Sequence, residues 1–262
     1  PKSIALTILI IAGVLWVSEW IPLYITSLII LLLQISWLLP ALNPDAGKAE
    51  RQLYLSPFFS DIILLFMGGF VLAAMLHKYG LDNRIANWLL SKTGSKPRNV
   101  MLGIMLVSAL LSMWMSNTAT TAMMFAIILP IIANIPDTNK FSKALALSIP
   151  FACNLGGLGT PIGTPPNAIA MSFLAEKGVF ISFSEWMIAA VPLMAVLLIV
   201  TWVLLLKIYP PEDLEIVFSE KSSKKMKLAD YLVISVFLLT ILGWLTTKQH
   251  GLSIGTISLI PV

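Results

Sequence analysis

Met115-Ser116-Asn117-Thr118-Ala119-Thr120-Thr121 is a run of oxygen-bearing side chains set between two apolar stretches. No charged residue lies between Arg98 and Asp137, so these groups sit far from the charged loops that mark contact with water. Polar groups in an apolar setting are costly unless they are hydrogen-bonded or used. The flanking stretches, Val100–Met115 and Ala119–Ile132, are expected to be helices, with Ser116-Asn117-Thr118 as the turn between them. A turn open to water usually carries charge, proline or glycine, and this one has none. The reading is therefore a re-entrant hairpin that turns back inside the membrane rather than two full spans, although charge alone allows both.

The composition agrees with that setting. Of 262 residues, 58% are hydrophobic and 11% charged, against roughly 25% charged in soluble domains. The chain is expected to be an all-α integral membrane protein that meets the lipid bilayer and no nucleic acid. Its net charge of +4 comes from basic residues grouped in loops, which is a topology signal. The single cysteine, Cys153, excludes an internal disulfide and a cysteine-based metal site. Neither His77 nor His250 has a partner at metal-ligand spacing.

Further spans are expected over Ile4–Val17, Tyr24–Leu39, Ile62–Leu76, Trp186–Lys207 and Tyr231–Thr247, with another starting at Leu252. Ser18-Glu19-Trp20-Ile21-Pro22 breaks the first from the second, and Trp20 and Tyr24 suit an interface. Asn43–Arg51 reads as a polar loop, and Leu53–Ser60, with Pro57, as an apolar piece too short to cross. Gly68-Gly69 allows close helix contact. Over Gly80–Thr93, Leu81, Ile85, Trp88 and Leu89 repeat at helical spacing while Asp82, Asn83, Arg84, Asn87 and Lys92 face elsewhere, as in an interfacial amphipathic helix. Lys78, Arg84, Lys92, Lys96 and Arg98 place this region in the cytoplasm, as do Lys140, Lys143 and the linker Tyr209–Lys227 with Lys221, Lys224 and Lys225. Glu176–Glu185 reads as a short external loop.

A second break interrupts the span that starts at Ala144–Leu155. Gly156–Asn167 holds four glycines and three prolines, so regular helix is expected to stop there and resume at Ala168–Leu174. The chemistry follows from what helix ends offer. Ser112, Ser116 and Thr118 bring hydroxyls, and Asn117 an amide oxygen and NH2. The helix ending at the turn leaves carbonyls with partial negative charge, and the helix beginning there leaves N–H groups with partial positive charge. Pro161, Pro165 and Pro166 cannot donate N–H, and unwound backbone from Gly159 to Gly163 exposes carbonyls of the kind that Na⁺, a hard cation, takes as ligands. Thr160 and Thr164 belong to this second polar break, and Asn167 is expected to cap the half-helix that follows. Ser108 and Thr121 read as structural. The only intramembrane proton-carrying candidates, Glu19, Asp61 and His77, stand near span ends, which favours Na⁺ over H⁺ coupling. No phosphate-binding motif or nucleophile–base pair is present, so the chain is not read as an enzyme.

Ile11–Ile29 can be laid on Leu239–Ile260, with Trp16 on Trp244. By charge the two copies run in opposite directions, as inverted repeats do. Residues 1 to about 209 then form one repeat, and the sequence is expected to be a fragment that stops early in the second. The expected organisation is 1–94, scaffold-type helices and the interfacial helix; 95–175, hairpin and broken helix; 176–227, long span and cytoplasmic linker; 228–262, start of the second repeat.

Ser116-Asn117-Thr118 after a basic loop, followed by Gly159-Thr160-Pro161-Ile162-Gly163-Thr164-Pro165-Pro166-Asn167, resembles the divalent anion/sodium symporter family, the bacterial dicarboxylate carriers of the INDY type. The resemblance covers nearly the whole sequence. It implies an elevator-type carrier, a homodimer in the bacterial inner membrane, with scaffold and transport domains. It implies Na⁺-coupled uptake of succinate, malate and fumarate, with citrate or sulfate in some members. Ser112, Ser116, Asn117 and Gly163 would form one Na⁺ site. Asn117 and Thr118, with Pro166, would face the substrate. A second Ser-Asn-Thr turn would complete the site. An ion channel lined by the two breaks, or a non-transporting membrane subunit, are the alternatives of a different class.

Overall fold

Apolar runs become helices because a helix satisfies its own backbone N–H and C=O groups where water cannot. The computed structural model describes residues 1–56, 60–136, 139–211, 216 and 226–262. Among the described residues all regular structure is helical. Leu23–Leu42, Asp61–Lys78, Phe183–Ile208 and Leu228–Leu245 are long and apolar enough to cross a bilayer. Pro57, Asp137 and most of the linker, including Lys221, Lys224 and Lys225, lie outside the described residues.

The chain divides into two units, Pro1–Ile63 and Leu64–Val262. In the first, α1 (Lys2–Ser18) stops where Glu19 takes a left-handed φ of 50°. Pro22 then opens α2 (Leu23–Leu33), which runs through a π-helical turn, Gln34–Leu38, into α3 (Leu39–Leu42). The expected span Tyr24–Leu39 thus extends to Leu42. The polar loop expected over Asn43–Arg51 is shorter, because α4 (Lys48–Leu55) begins inside it. Glu50 accepts from the Gly47 N–H at 2.9 Å, satisfying a donor at the helix start that would otherwise favour a loop. The apolar piece expected from Leu53 is the end of this helix.

α5 (Asp61–Lys78) leads into the second unit. Gly80, at φ 63°, turns the chain into α6 (Leu81–Leu90). The face that α6 buries differs from the expected stripe. Leu81, Asp82, Ala86 and Leu90 are buried, while Ile85 and Trp88 are exposed. Asp82 turns inward because its carboxylate is satisfied there: it lies 2.7 Å from His77 Nδ1 and accepts from the Asn83 N–H at 2.7 Å. His77 therefore has a partner that linear spacing did not suggest.

α7 (Pro97–Ser112) and α8 (Asn117–Ile132) form the hairpin, joined by Met113–Ser116. α7 stops at Ser112, three residues short of the expected Met115, while α8 starts earlier than expected, with Asn117 and Thr118 already helical. α9 (Phe141–Gly157) and α10 (Pro165–Glu176) flank the second break, which shrinks from the expected Gly156–Asn167 to Leu158–Thr164. Glycine is tolerated in a last turn, and a β-carbon on Gly156 would lie 2.3 Å from the Ala109 carbonyl oxygen, so close packing on α7 keeps it helical. Proline suits the first helical positions, whose N–H groups have no intrahelical acceptor. Pro165 and Pro166 accordingly start α10.

α11 (Phe183–Ile208) starts within the expected loop Glu176–Glu185, because Ser182 and Glu185 cap it reciprocally. α12 (Leu228–Leu245) begins ahead of Tyr231, with Asp230 accepting from the Lys227 N–H. The expected span from Leu252 appears as short turns: α13 (Thr247–His250) precedes it and α14 (Ile254–Ile257) lies within it. Trp16 and Trp244, matched in sequence, have unlike surroundings: Trp16 is exposed and Trp244 fully buried.

Of the three hydrophobic cores among the described residues of the second unit, two are large. α7, α8, α9 and α11 pack around Met105, Met124, Phe141, Ile149 and Leu198. The other gathers Leu65, Leu72, Ile162, Phe183, Trp244 and Ile257. Lipid tails are as apolar as leucine, so close packing rather than burial from water drives such contacts. Gly68 and Gly69 serve that packing: β-carbons there would stand 2.3 Å from the Ser258 carbonyl oxygen and 3.3 Å from Ile162.

Candidate functional site

The two breaks meet. The Thr160 hydroxyl donates to the Met113 carbonyl at the hairpin turn and accepts from the Gly163 N–H at 3.0 Å. Asn167 does not cap α10. It stands in the helix's first turn, and its Nδ2 donates back to the carbonyls of Gly157 and Thr160, both at 2.8 Å. The break is therefore closed by side chains on both sides, as buried irregular backbone requires. Trp186 of α11 adds a third tie, its indole N–H donating to the Leu158 carbonyl at 3.0 Å. Three residues earlier on α11, Phe183 stacks on Trp114 of the hairpin turn, with centroids 6.3 Å apart. One turn of α11 thus holds both breaks.

A cavity of about 260 Å³ opens at this junction. Its polar wall is Ser116, Asn117 and Thr118 with Gly163 and Thr164; its apolar wall is Phe66 and Phe70 of α5 with Trp114 and Ile162. No charged side chain lines it. The first intrahelical bond of α8 runs from the Thr120 N–H to the Ser116 carbonyl, so the N–H groups of Asn117, Thr118 and Ala119 lie ahead of it. Ser116 makes no side-chain cap. That end of α8 offers an anion partial positive charge without a lysine or arginine.

The residues expected to hold a cation are arranged differently. Ser112 is buried, and its hydroxyl donates to Asn117 Oδ1 at 2.6 Å. Asn117 Nδ2 donates to Asn154 Oδ1 at 3.3 Å. A β-carbon on Gly163 would lie 2.4 Å from the Gly157 carbonyl oxygen, and one on Gly157 would lie 2.8 Å from Asn117 Oδ1. Ser112, Asn117, Gly157 and Gly163 thus pack against one another, and the hydroxyl, amide and Gly157 carbonyl oxygens among them are of the type that suits a hard cation. Of the hairpin carbonyls expected to be free, those of Ala109, Leu111 and Met113 already accept hydrogen bonds.

The other expected site residues fall into place around this group. Ser116, Asn117, Thr118, Gly163 and Thr164 line the cavity. Ser112 stands behind it. Gly159 packs against Met113, and Thr160 and Asn167 clasp the break. Pro166, expected against the substrate, is outside the lining, where Pro165 stands instead. Asn154, Gly157, Trp114 and Trp186 were not singled out from sequence. An amide in an apolar run was the one available signal for Asn154; the others depend on packing.

A family model described as citrate transporter matches residues 13–261. The chain belongs to the citrate transporter family. The divalent anion/sodium symporter type read from Ser116-Asn117-Thr118 and Gly159–Asn167 agrees with this membership. The chain is 35% identical over 253 residues to the sodium-dependent dicarboxylate transporter SdcS of Staphylococcus aureus, covering 89% of this chain and 47% of that protein. It is 31% identical over 256 residues to the inorganic phosphate transporter PHO87 of Saccharomyces cerevisiae, covering 95% of this chain and 27% of that one. An uncharacterized transporter of Schizosaccharomyces pombe is 33% identical over 205 residues, covering 76% of this chain and 23% of its own. The chain spans less than half the length of each of these relatives. All three are named transporters.

Proposed function

We propose that this chain contributes the Ser112–Thr118 and Leu158–Asn167 part of the site of a secondary carrier that couples Na⁺ to uptake of C4-dicarboxylates such as succinate, malate and fumarate. The observation that carries the reading is the junction of the two breaks. The Ser112 hydroxyl, the Asn117 amide oxygen and the backbone of Gly157 and Gly163 pack together on one side, and the open N-terminus of α8 faces a cavity on the other. A Na⁺ held beside Asn117 adds the positive charge that a dianion needs in a cavity without basic side chains. The identity to the staphylococcal sodium-dependent dicarboxylate transporter supports both the ion and the substrate class. The yeast phosphate transporter supports a second reading, an inorganic oxyanion as substrate.

The mechanism in this reading is an elevator. α7 and α8 have 16 residues each, about 24 Å of helix, less than the roughly 30 Å hydrocarbon core. That length supports a hairpin that turns back at midplane, entering from the cytoplasmic side where Lys96, Arg98, Lys140 and Lys143 lie. Residues 95–175 carry the site as a transport-type element. Residues 1–94 and the start of an inverted repeat from residue 228 supply scaffold. The carrier works as a homodimer in a bacterial inner membrane. Uptake of labelled succinate by the full-length protein in proteoliposomes tests the reading. The expected result is saturable uptake that requires a Na⁺ gradient and is competed by malate and fumarate. Competition by phosphate or sulfate alone would favour the second reading, and single-channel currents would indicate a pore.

A further inference from the structure

We propose that Asn154, a residue outside both breaks, is a positioning residue that turns the amide oxygen of Asn117 toward the cation. The proposal rests on the Na⁺-coupled reading above. An amide serves a cation only through its oxygen, while its NH2 end donates and repels one. Rotating the amide of Asn117 by half a turn exchanges the two ends with little change of shape, so its neighbours decide which end faces where.

Three contacts make that decision. Oδ1 accepts from the Ser112 hydroxyl at 2.6 Å, which holds the oxygen beside the other oxygen donors. Nδ2 donates to Asn154 Oδ1 at 3.3 Å. The plane of the amide rests on Gly157, where a β-carbon would stand 2.8 Å from Oδ1 and 2.9 Å from Nδ2. Gly157 therefore limits where the amide can swing, and the half-turn flip is what remains. Ser112 does not select against the flip by itself, because a hydroxyl both donates and accepts. An acceptor on the opposite side does, since it draws the NH2 end and sends the oxygen toward Ser112; Asn154, an amide with both ends available, turns its oxygen rather than its NH2 to Asn117. Asn154 and Gly157 are three residues apart on α9, so one helix face supplies both the floor under Asn117 and the acceptor that orients it.

The test is succinate uptake by the full-length protein in proteoliposomes as a function of Na⁺. Asn154→Leu keeps the size and removes the acceptor. It is expected to raise half-saturating Na⁺ by about fivefold, the scale of one lost hydrogen bond, while half-saturating succinate at saturating Na⁺ stays within about twofold. Asn154→Asp can only accept, and is expected to keep half-saturating Na⁺ at or below the wild-type value. The rise in Tm produced by NaCl, with KCl as control, gives a readout independent of transport; it should shrink in Asn154→Leu and persist in Asn154→Asp. Unchanged Na⁺ dependence in Asn154→Leu overturns the proposal. So does equal impairment of both variants, or a fall in rate and Tm without a shift in Na⁺ dependence, which marks a packing role. Wild-type uptake that ignores Na⁺ overturns the functional reading and this proposal with it, and is told apart by the wild-type control alone.

Discussion

Gly157 lies against the side-chain amide of Asn117 so closely that a β-carbon would stand 2.8 Å from Oδ1 and 2.9 Å from Nδ2. The same residue's carbonyl accepts from Asn167 at 2.8 Å. It also lies 2.4 Å from where a β-carbon on Gly163 would be. Both polar breaks therefore converge on one backbone unit in the last turn of α9.

Gly157→Ala is expected to abolish Na⁺-dependent uptake. The added methyl cannot coexist with Asn117 in place, and Asn117 has Ser112 on its other side. Gly13→Ala is the control, because nothing lies within 4 Å of a β-carbon there. In α1 that change should leave uptake intact and stabilise by about 0.5–1 kcal/mol, the usual difference between alanine and glycine in a helix. Uptake and thermal unfolding of the two variants check this, and normal uptake in Gly157→Ala would remove Gly157 from the site.

Asn117→Ala and Thr118→Ala are expected to abolish Na⁺-dependent succinate uptake while the protein still inserts and folds. Both side chains line the cavity, and neither belongs to either hydrophobic core. Normal uptake in both variants, measured at matched protein amounts in the membrane, would sink the site assignment.

Thr160→Val should act through stability. It removes the donor to the Met113 carbonyl and the acceptor for the Gly163 N–H, at a site with no solvent exposure. Leaving such groups unpaired costs about 1–3 kcal/mol. A clear drop in Tm with weakened uptake is expected, and a variant as stable as wild type would show that the clasp contributes nothing.

Trp186→Phe should be milder. It keeps an aromatic ring and removes the hydrogen bond to the Leu158 carbonyl, worth about 1 kcal/mol. Trp186→Ala should lose more, because the packing goes too. Equal Tm values for the two variants would show that the ring's packing contributes nothing, and a Trp186→Phe Tm equal to wild type would show the same of the hydrogen bond.

Much of the architecture was legible from local pattern. Apolar runs end where polar or helix-breaking residues begin, and that signal located α1, α2, α5, α7, α8 and α11 within a few residues. It failed where side chains complete a helix end. Glu50 and Glu185 extend α4 and α11 into stretches that composition assigned to loops. It failed again on α6, where the polarity of Asp82 suggested an outward face and the contact with His77 turned it inward.

By itself the amino-acid sequence determined the membrane class, the hairpin turn at Ser116-Asn117-Thr118 and the glycine/proline break, because hydropathy and backbone restriction are properties of neighbouring residues. Tertiary structure alone decided that the break narrows to Leu158–Thr164, that Asn167 reaches back rather than capping α10, and that Asn154 and Gly157 hold Asn117. Those outcomes follow from how closely α7, α8 and α9 approach. Contacts between residues 37 apart in the chain, as for Asn117 and Asn154, leave no trace in any local window.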